Sequence, residues 1–168
     1  MPESYRIRGL PPVVAAGFTL IELLIVLAIV GLLAALTVPV AEVTVQRSRE
    51  QDLRIALREI RSAIDAYKKA SDEGRVPKQA GSTGYPETLA VLVEGVDDAK
   101  DARKRKIYFL RRLPRDPMHL DPTVDPANTW GKRAYESGPD EPREGKDVYD
   151  VYSQSTTTAL NGVAYNKW

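Results

Sequence analysis

Glu22 is the one charged residue in an apolar tract that runs from Phe18 to Ala41, and it stands four residues after Phe18. A carboxylate inside a membrane-spanning helix costs about 2.5–3.5 kcal/mol on insertion scales, so it calls for a partner. The small residues Ala15-Ala16-Gly17 come directly before the tract. If the chain is cut after Gly17, the new amine of Phe18 lies about one helical turn from Glu22. That amine would neutralise the carboxylate in its own chain or, better, in a neighbour during packing, and would set the register between adjacent subunits. The plainer alternative leaves Glu22 near the helix end, with its carboxylate reaching the lipid headgroups. The chemistry implied is cleavage and charge pairing.

Elsewhere the residues with chemical potential read as structural. Asp116, Asp121, Asp125, Asp140, Glu141, Glu144, Asp147 and Asp150 gather in the second half, but carboxylates in proline-rich loops mostly make turns and solubilise. None has the spacing of an EF-hand loop. His119 is the only histidine and cannot build a multi-histidine metal site. The chain has no cysteine, which excludes disulfides, thiol nucleophiles and cysteine metal sites. Ser153 and Ser155 lack a G-x-S-x-G context, and no glycine loop is suited to cradle phosphate. Trp130, Tyr135, Tyr149, Tyr152, Tyr165 and Trp168 read as core and interface aromatics. The expectation is a protein with no catalytic residues, no cofactor and no metal site. There are 24 basic and 23 acidic side chains, and removing Met1 to Gly17 takes Arg6, Arg8 and Glu3, leaving 22 of each. That balance gives no electrostatic reason to expect nucleic acid as a partner.

The elements that carry these residues follow from periodicity. Phe18 to Ala41 is 24 residues, about 36 Å of helix against a hydrocarbon core of about 30 Å. Small residues precede the apolar stretch instead of following it, the reverse of an ordinary secretory signal. A competing cut after Ala41 has only Pro39-Val40-Ala41 to support it. Beyond the tract, Leu53, Leu57, Ile60, Ile64 and Tyr67 recur at steps of four and three, one face of an amphipathic helix. Joined to the tract, the helix runs from about Phe18 to Ala70, on the order of 80 Å, with Gly31 and Pro39 as the places to bend or melt. Its first half is exposed apolar surface unless it lies in lipid or against copies of itself. Residues 71–84 read as a loop and Pro86 to Val93 as a short helix; the charged run Lys100 to Lys106 reads as a solvated face. Strands are predicted at Ile107–Leu110, around Trp130–Tyr135 and at Val148–Ser153, with loops at Pro114–Pro126 and Pro139–Arg143. A chain of 168 residues holds one modest domain, and the elements make it α+β, a long N-terminal helix packed on a small antiparallel sheet.

Gly17-Phe18-Thr19-Leu20-Ile21-Glu22, then Leu23-Leu24-Ile25-Val26 and the long apolar tract behind a short basic leader, resembles the processing site of type IV pilins and pseudopilins. The resemblance implies a prepilin leader at 1–17, a transmembrane and assembly helix at 18–41, and a helix continuation with a pilin-like globular domain at 42–168. It implies that a prepilin peptidase cuts between Gly17 and Phe18 and methylates the Phe18 amine, and that Glu22 is the family's assembly glutamate. The implied partners are copies of the chain, other pilin-like subunits, the peptidase, an inner-membrane assembly platform and lipid. The implied location is the bacterial inner membrane, single-pass, with the C-terminal domain in the periplasm and a periplasmic pseudopilus after assembly. Charge alone points the other way: Arg6 and Arg8 precede the span, whereas Arg47, Arg49, Arg54, Arg58 and Arg61 follow it. Orientation is therefore an expectation from the resemblance.

A second set of pieces is similar to the major pseudopilin of type II secretion, the G subunit: Tyr85-Pro86, Leu113-Pro114-Arg115-Asp116-Pro117, Trp130-Gly131 with Tyr135, Asp150-Val151-Tyr152-Ser153, and Trp168. This implies a structural subunit that polymerises through its N-terminal helix to drive protein export. The alternatives are a minor pilin of a type IV pilus and a membrane-anchored external domain that never polymerises. Two features depart from that family. Met118 to Thr129 separates pieces that the family keeps nearly continuous. The family's late acidic loop binds calcium, yet Gln154 to Trp168 contains no aspartate or glutamate. The expectation is a chain that folds without calcium, its tail held by hydrogen bonds and by burial of Tyr165 and Trp168.

Overall fold

The computed structural model describes residues 17–168, with the side chains of 36–41 outside the described set. The predicted leader, apart from Gly17, also lies outside it. The chain divides into two units between Glu42 and Val43, and each is taken by itself.

The first unit is the start of α1 (Leu20–Asp72). Thr19 begins it: the Glu22 amide donates to Thr19 Oγ1 at 3.2 Å, and the Leu23 amide to the Thr19 carbonyl at 3.1 Å. Threonine is a preferred N-cap because its hydroxyl satisfies a donor that the first turn leaves free. Glu22 sits in that first turn, where the helix dipole favours negative charge. From Phe18 to Leu33 the large apolar side chains are all exposed, Phe18 to 86%. Among the described residues no helix is long and apolar enough to cross a membrane. The described apolar side chains of α1 reach from 20 to 35, about 24 Å of helix, and the predicted tract continues past them to Ala41. The expected melting at Gly31 or Pro39 does not occur, since α1 is unbroken from Leu20 to Asp72. A lone glycine costs about 1 kcal/mol and an interior proline about 3 kcal/mol, which the hydrogen-bonded turns on both sides outweigh in this helix.

In the second unit the predicted stripe is the core. Leu53, Ile60 and Ile64 are fully buried, with Leu57 and Tyr67 nearly so, against Leu89, Leu92, Leu110, Trp130, Val148 and Val151. Helix α1 stops where Gly74 takes a positive φ of 69° and the Arg75 amide turns back to the Ala70 carbonyl at 2.9 Å, a glycine-based C-cap. The short helix α2 (Ala90–Glu94) starts four residues later than the Pro86 signal predicts. Pro86 is buried instead, its carbonyl accepting the Val148 amide at 2.7 Å.

The single predicted sheet is two antiparallel pairs. β1 (Val96–Asp97) pairs with β2 (Lys106–Ile107), and the exposed charged run makes the turn between them. β3 (Trp130–Arg133) pairs with β4 (Asp150–Ser153), Trp130 opposite Ser153 and Gly131 opposite Tyr152. The predicted strand Ile107–Leu110 therefore ends at Ile107. Beyond it the Phe109 and Leu110 amides both donate to the Leu92 carbonyl, at 3.0 and 2.9 Å, tying this segment to α2. The α+β class stands: a long helix whose second half packs on short antiparallel pairs.

Candidate functional site

Gly17, Phe18 and Thr19 precede the first helical turn, and all three are exposed. A Cβ placed on Gly17 would meet nothing within 4 Å. The peptide bond between Gly17 and Phe18 thus lies outside the helix in open surroundings, which suits proteolysis, since a protease needs non-helical, accessible backbone. Glu22 is exposed one turn away, and its carboxylate has no hydrogen-bond or ion-pair partner among the described residues. The structure places all three predicted residues at one end of α1. An apolar stretch of helix whose one carboxylate between residues 20 and 35 has no partner among the described residues can receive an amine from outside. Thr19 was not singled out from the sequence, although Thr-x-x-Glu ahead of an apolar run is the capping-box signature.

Asp116, Asp147 and Asp150 are committed to internal structure, whereas Asp140, Glu141 and Glu144 are exposed. Asp147 accepts from Thr83 Oγ1 and, at 2.9 Å, from the Tyr135 amide. Asp150 bonds Arg61 Nε of α1 at 2.7 Å and Arg133 Nη2 of β3 at 3.2 Å. Asp116 is 1% exposed and accepts the Ser153 hydroxyl at 2.6 Å and the Met118 amide at 2.8 Å. Ser153 is itself fully buried, which removes it from any substrate. His119 Nε2 is buried with no hydrogen-bond partner among the described residues. Asp121 titrates below the usual carboxylate range, chiefly because the Thr123 hydroxyl and then its amide donate to it.

These bonds also account for the separated pieces. Trp130 Nε1 donates to the Pro114 carbonyl at 2.8 Å, and the Asp116 amide to Thr129 Oγ1 at 3.2 Å. Arg115 reaches the Val124 carbonyl at 2.6 Å and also bonds the Asp121 carbonyl. The intervening residues 118–129 therefore fold out as a loop while Pro114 and Trp130 meet across its base.

Calcium takes about six to eight oxygens, usually several of them carboxylates. Residues 154–168 supply no carboxylate side chain, and Asp147 and Asp150 already serve other donors. Asn166 Oδ1 is a buried oxygen without a partner among the described residues, but one neutral oxygen is far short of a calcium shell. No group of three or more His, Cys, Asp or Glu among the described residues could hold a metal ion. The donor set does not fit calcium. The tail is held otherwise. Tyr165 is 3% exposed, and burial pushes its phenol above the ordinary range. Trp168 is half-buried against the core. It packs edge-on to Tyr165 at 5.3 Å under the Arg54 guanidinium at 4.6 Å.

A profile of the Prokaryotic N-terminal methylation motif matches residues 14–38, which contain Gly17, Phe18 and Glu22. The chain is 30% identical to Type II secretion system core protein G of Klebsiella pneumoniae, over 78% of this chain and 89% of that protein. It is likewise 30% identical to the protein of that name from Escherichia coli strain K12, over 74% and 81%, and 28% identical to that of Vibrio cholerae, over 62% and 66%. No solved structure matches. With the motif at the start of α1 and the similarity running on through the folded unit behind it, the chain belongs to the type II secretion system core protein G family.

Proposed function

We propose that this chain is the structural subunit of a type II secretion pseudopilus that polymerises through the first half of α1 and so drives protein export. A prepilin peptidase cuts between Gly17 and Phe18 and methylates the new amine. Glu22 then pairs with the Phe18 amine of a neighbouring subunit. The observation that carries this reading is the start of α1: exposed large apolar side chains from Phe18 to Leu33, with one unpaired carboxylate in the first turn. A helix apolar on all sides belongs in lipid or among other apolar helices, and a bundle of such helices gives Glu22 a desolvated place where a charge partner matters. Before assembly the subunit sits in the bacterial inner membrane as a single-pass protein, with residues 42–168 in the periplasm. Its partners are copies of itself, other pilin-like subunits, the inner-membrane assembly platform and lipid.

Intact-mass measurement on membrane-extracted protein tests the processing step. The expected species begins at Phe18 and carries one added methyl group. A chain beginning at Glu42, or one keeping Met1 to Gly17 in cells that contain prepilin peptidase, overturns it.

A further inference from the structure

The C-terminal segment needs something to close it, because its apolar anchoring rests on few side chains. Tyr165 is buried, whereas Leu160 and Val163 are exposed to 44% and 43%. The closing group is on α1. Glu50 is 6% exposed, an unusual position for a helix glutamate, since carboxylates are rarely buried without donors to satisfy them. Its Oε1 accepts from the Leu160 amide at 2.8 Å, from the Tyr165 hydroxyl at 3.0 Å and from Gln46 Nε2 at 3.4 Å. One oxygen thus gathers the middle of the loop, its aromatic anchor and a side chain one turn back on the helix. Gln46 Nε2 adds bonds to the Tyr165 hydroxyl at 3.0 Å and the Thr158 carbonyl at 3.4 Å. Further along the same helix, Arg61 Nη2 donates to the main-chain oxygens of Val151 and Trp168, both at 3.0 Å. Gln46, Glu50 and Arg54 follow at steps of four, so one stripe of α1 faces the tail.

We propose that the Glu50 carboxylate takes the structural place of a divalent cation in closing residues 155–168, so that this chain folds and stays folded without calcium. A bound cation closes a loop by collecting oxygens around a positive centre. Glu50 does the complementary thing, collecting N–H and O–H donors around a negative one. The two devices need opposite side chains, and this loop has the set that suits an anion: a free amide at Leu160, a phenol at Tyr165, and no aspartate or glutamate of its own. Bonds to a charged acceptor are roughly twice as strong as neutral ones, so a single carboxylate suffices for a short loop.

The test uses the full chain in detergent, with hydrogen exchange resolved across residues 155–168 and thermal melting, in millimolar calcium chloride and in chelator. For the unsubstituted chain, exchange and Tm should be the same in both. Glu50→Gln should expose the Leu160 amide to exchange about tenfold faster or more, while the amides of Leu53 to Ile64 keep their protection. Should Glu50→Gln fail to fold, Tyr165→Phe keeps the ring and removes only the hydroxyl; it should speed exchange over 157–166 several-fold. A calcium-dependent rise in Tm overturns the proposal, as does unchanged exchange at Leu160 in a folded Glu50→Gln chain or over 157–166 in Tyr165→Phe.

Discussion

Trp130→Phe should destabilise the folded unit by about 3–4 kcal/mol. The indole is fully buried, and its N–H satisfies the Pro114 carbonyl at 2.8 Å. Phenylalanine keeps a ring in the core but cannot donate, so a half-buried carbonyl loses its donor at a cost of about 1–2 kcal/mol. It also withdraws roughly two buried carbons, at about 0.8 kcal/mol each, and leaves a small void. For a domain of this size each kcal/mol lowers Tm by about 3–4 °C, so the fall should be about 10 °C. The assay is circular-dichroism melting of the purified chain, with Trp168→Phe as the comparison; the protein has just these two tryptophans. Trp168 is half-buried and its Nε1 has no partner among the described residues, so its substitution strands no acceptor and should cost clearly less. A fall under about 3 °C for Trp130→Phe, or equal falls for both, would refute the claim that the indole clamps the base of loop 118–129.

Gly131→Ala should cost about 1–3 kcal/mol by overpacking, because the new Cβ would lie 2.4 Å from the Tyr152 ring; Gly138→Ala, with nothing within 4 Å, should be near neutral, and equal melting curves would contradict the packing. Asp98 is held below the ordinary carboxylate range first by the Arg75 side chain at 2.6 Å and next by the Lys100 amide. Its contribution to stability is therefore complete above the unfolded value of about 3.9 and is lost as pH falls through the lower folded value. Arg75→Gln should move the Asp98 titration, followed by carboxyl NMR, back toward that value, and an unmoved midpoint would exclude Arg75 as the cause. Glu22→Leu should ease membrane insertion yet weaken cross-linking between engineered cysteines on neighbouring α1 helices. Undiminished cross-linking and secretion would count against the charge pair.

Much of this was legible because it depends on local pattern. The steps from Leu53 to Tyr67 identify a buried helix face without knowledge of what covers it, and Leu53, Ile60 and Ile64 are fully buried. The run from Gly17 to Glu22 lies within the matched methylation motif as consecutive residues, so its spacing survives any fold. Ile107–Leu110 misled because an apolar run does not say where its amides go, and two of them go to Leu92. Val96–Asp97 was missed because two residues give no alternation to detect. Glu50 was illegible for a deeper reason. On a helix rich in charge it reads as solvated, and its burial comes from donors 110 and 115 residues later in the chain. The loop at 118–129 looked like a break in the resemblance, yet its ends are brought together by the Trp130 indole.

Filament formation through α1 is open to electron cryomicroscopy of material from cells that produce this chain with a prepilin peptidase and a type II secretion assembly platform. The expected images show helical filaments made of this chain, with the first halves of α1 packed in the centre and the Phe18 amine of one subunit within ion-pair distance of Glu22 of the next. A processed chain that stays monomeric in the membrane, or one confined to the tip of filaments built from another protein, would contradict it.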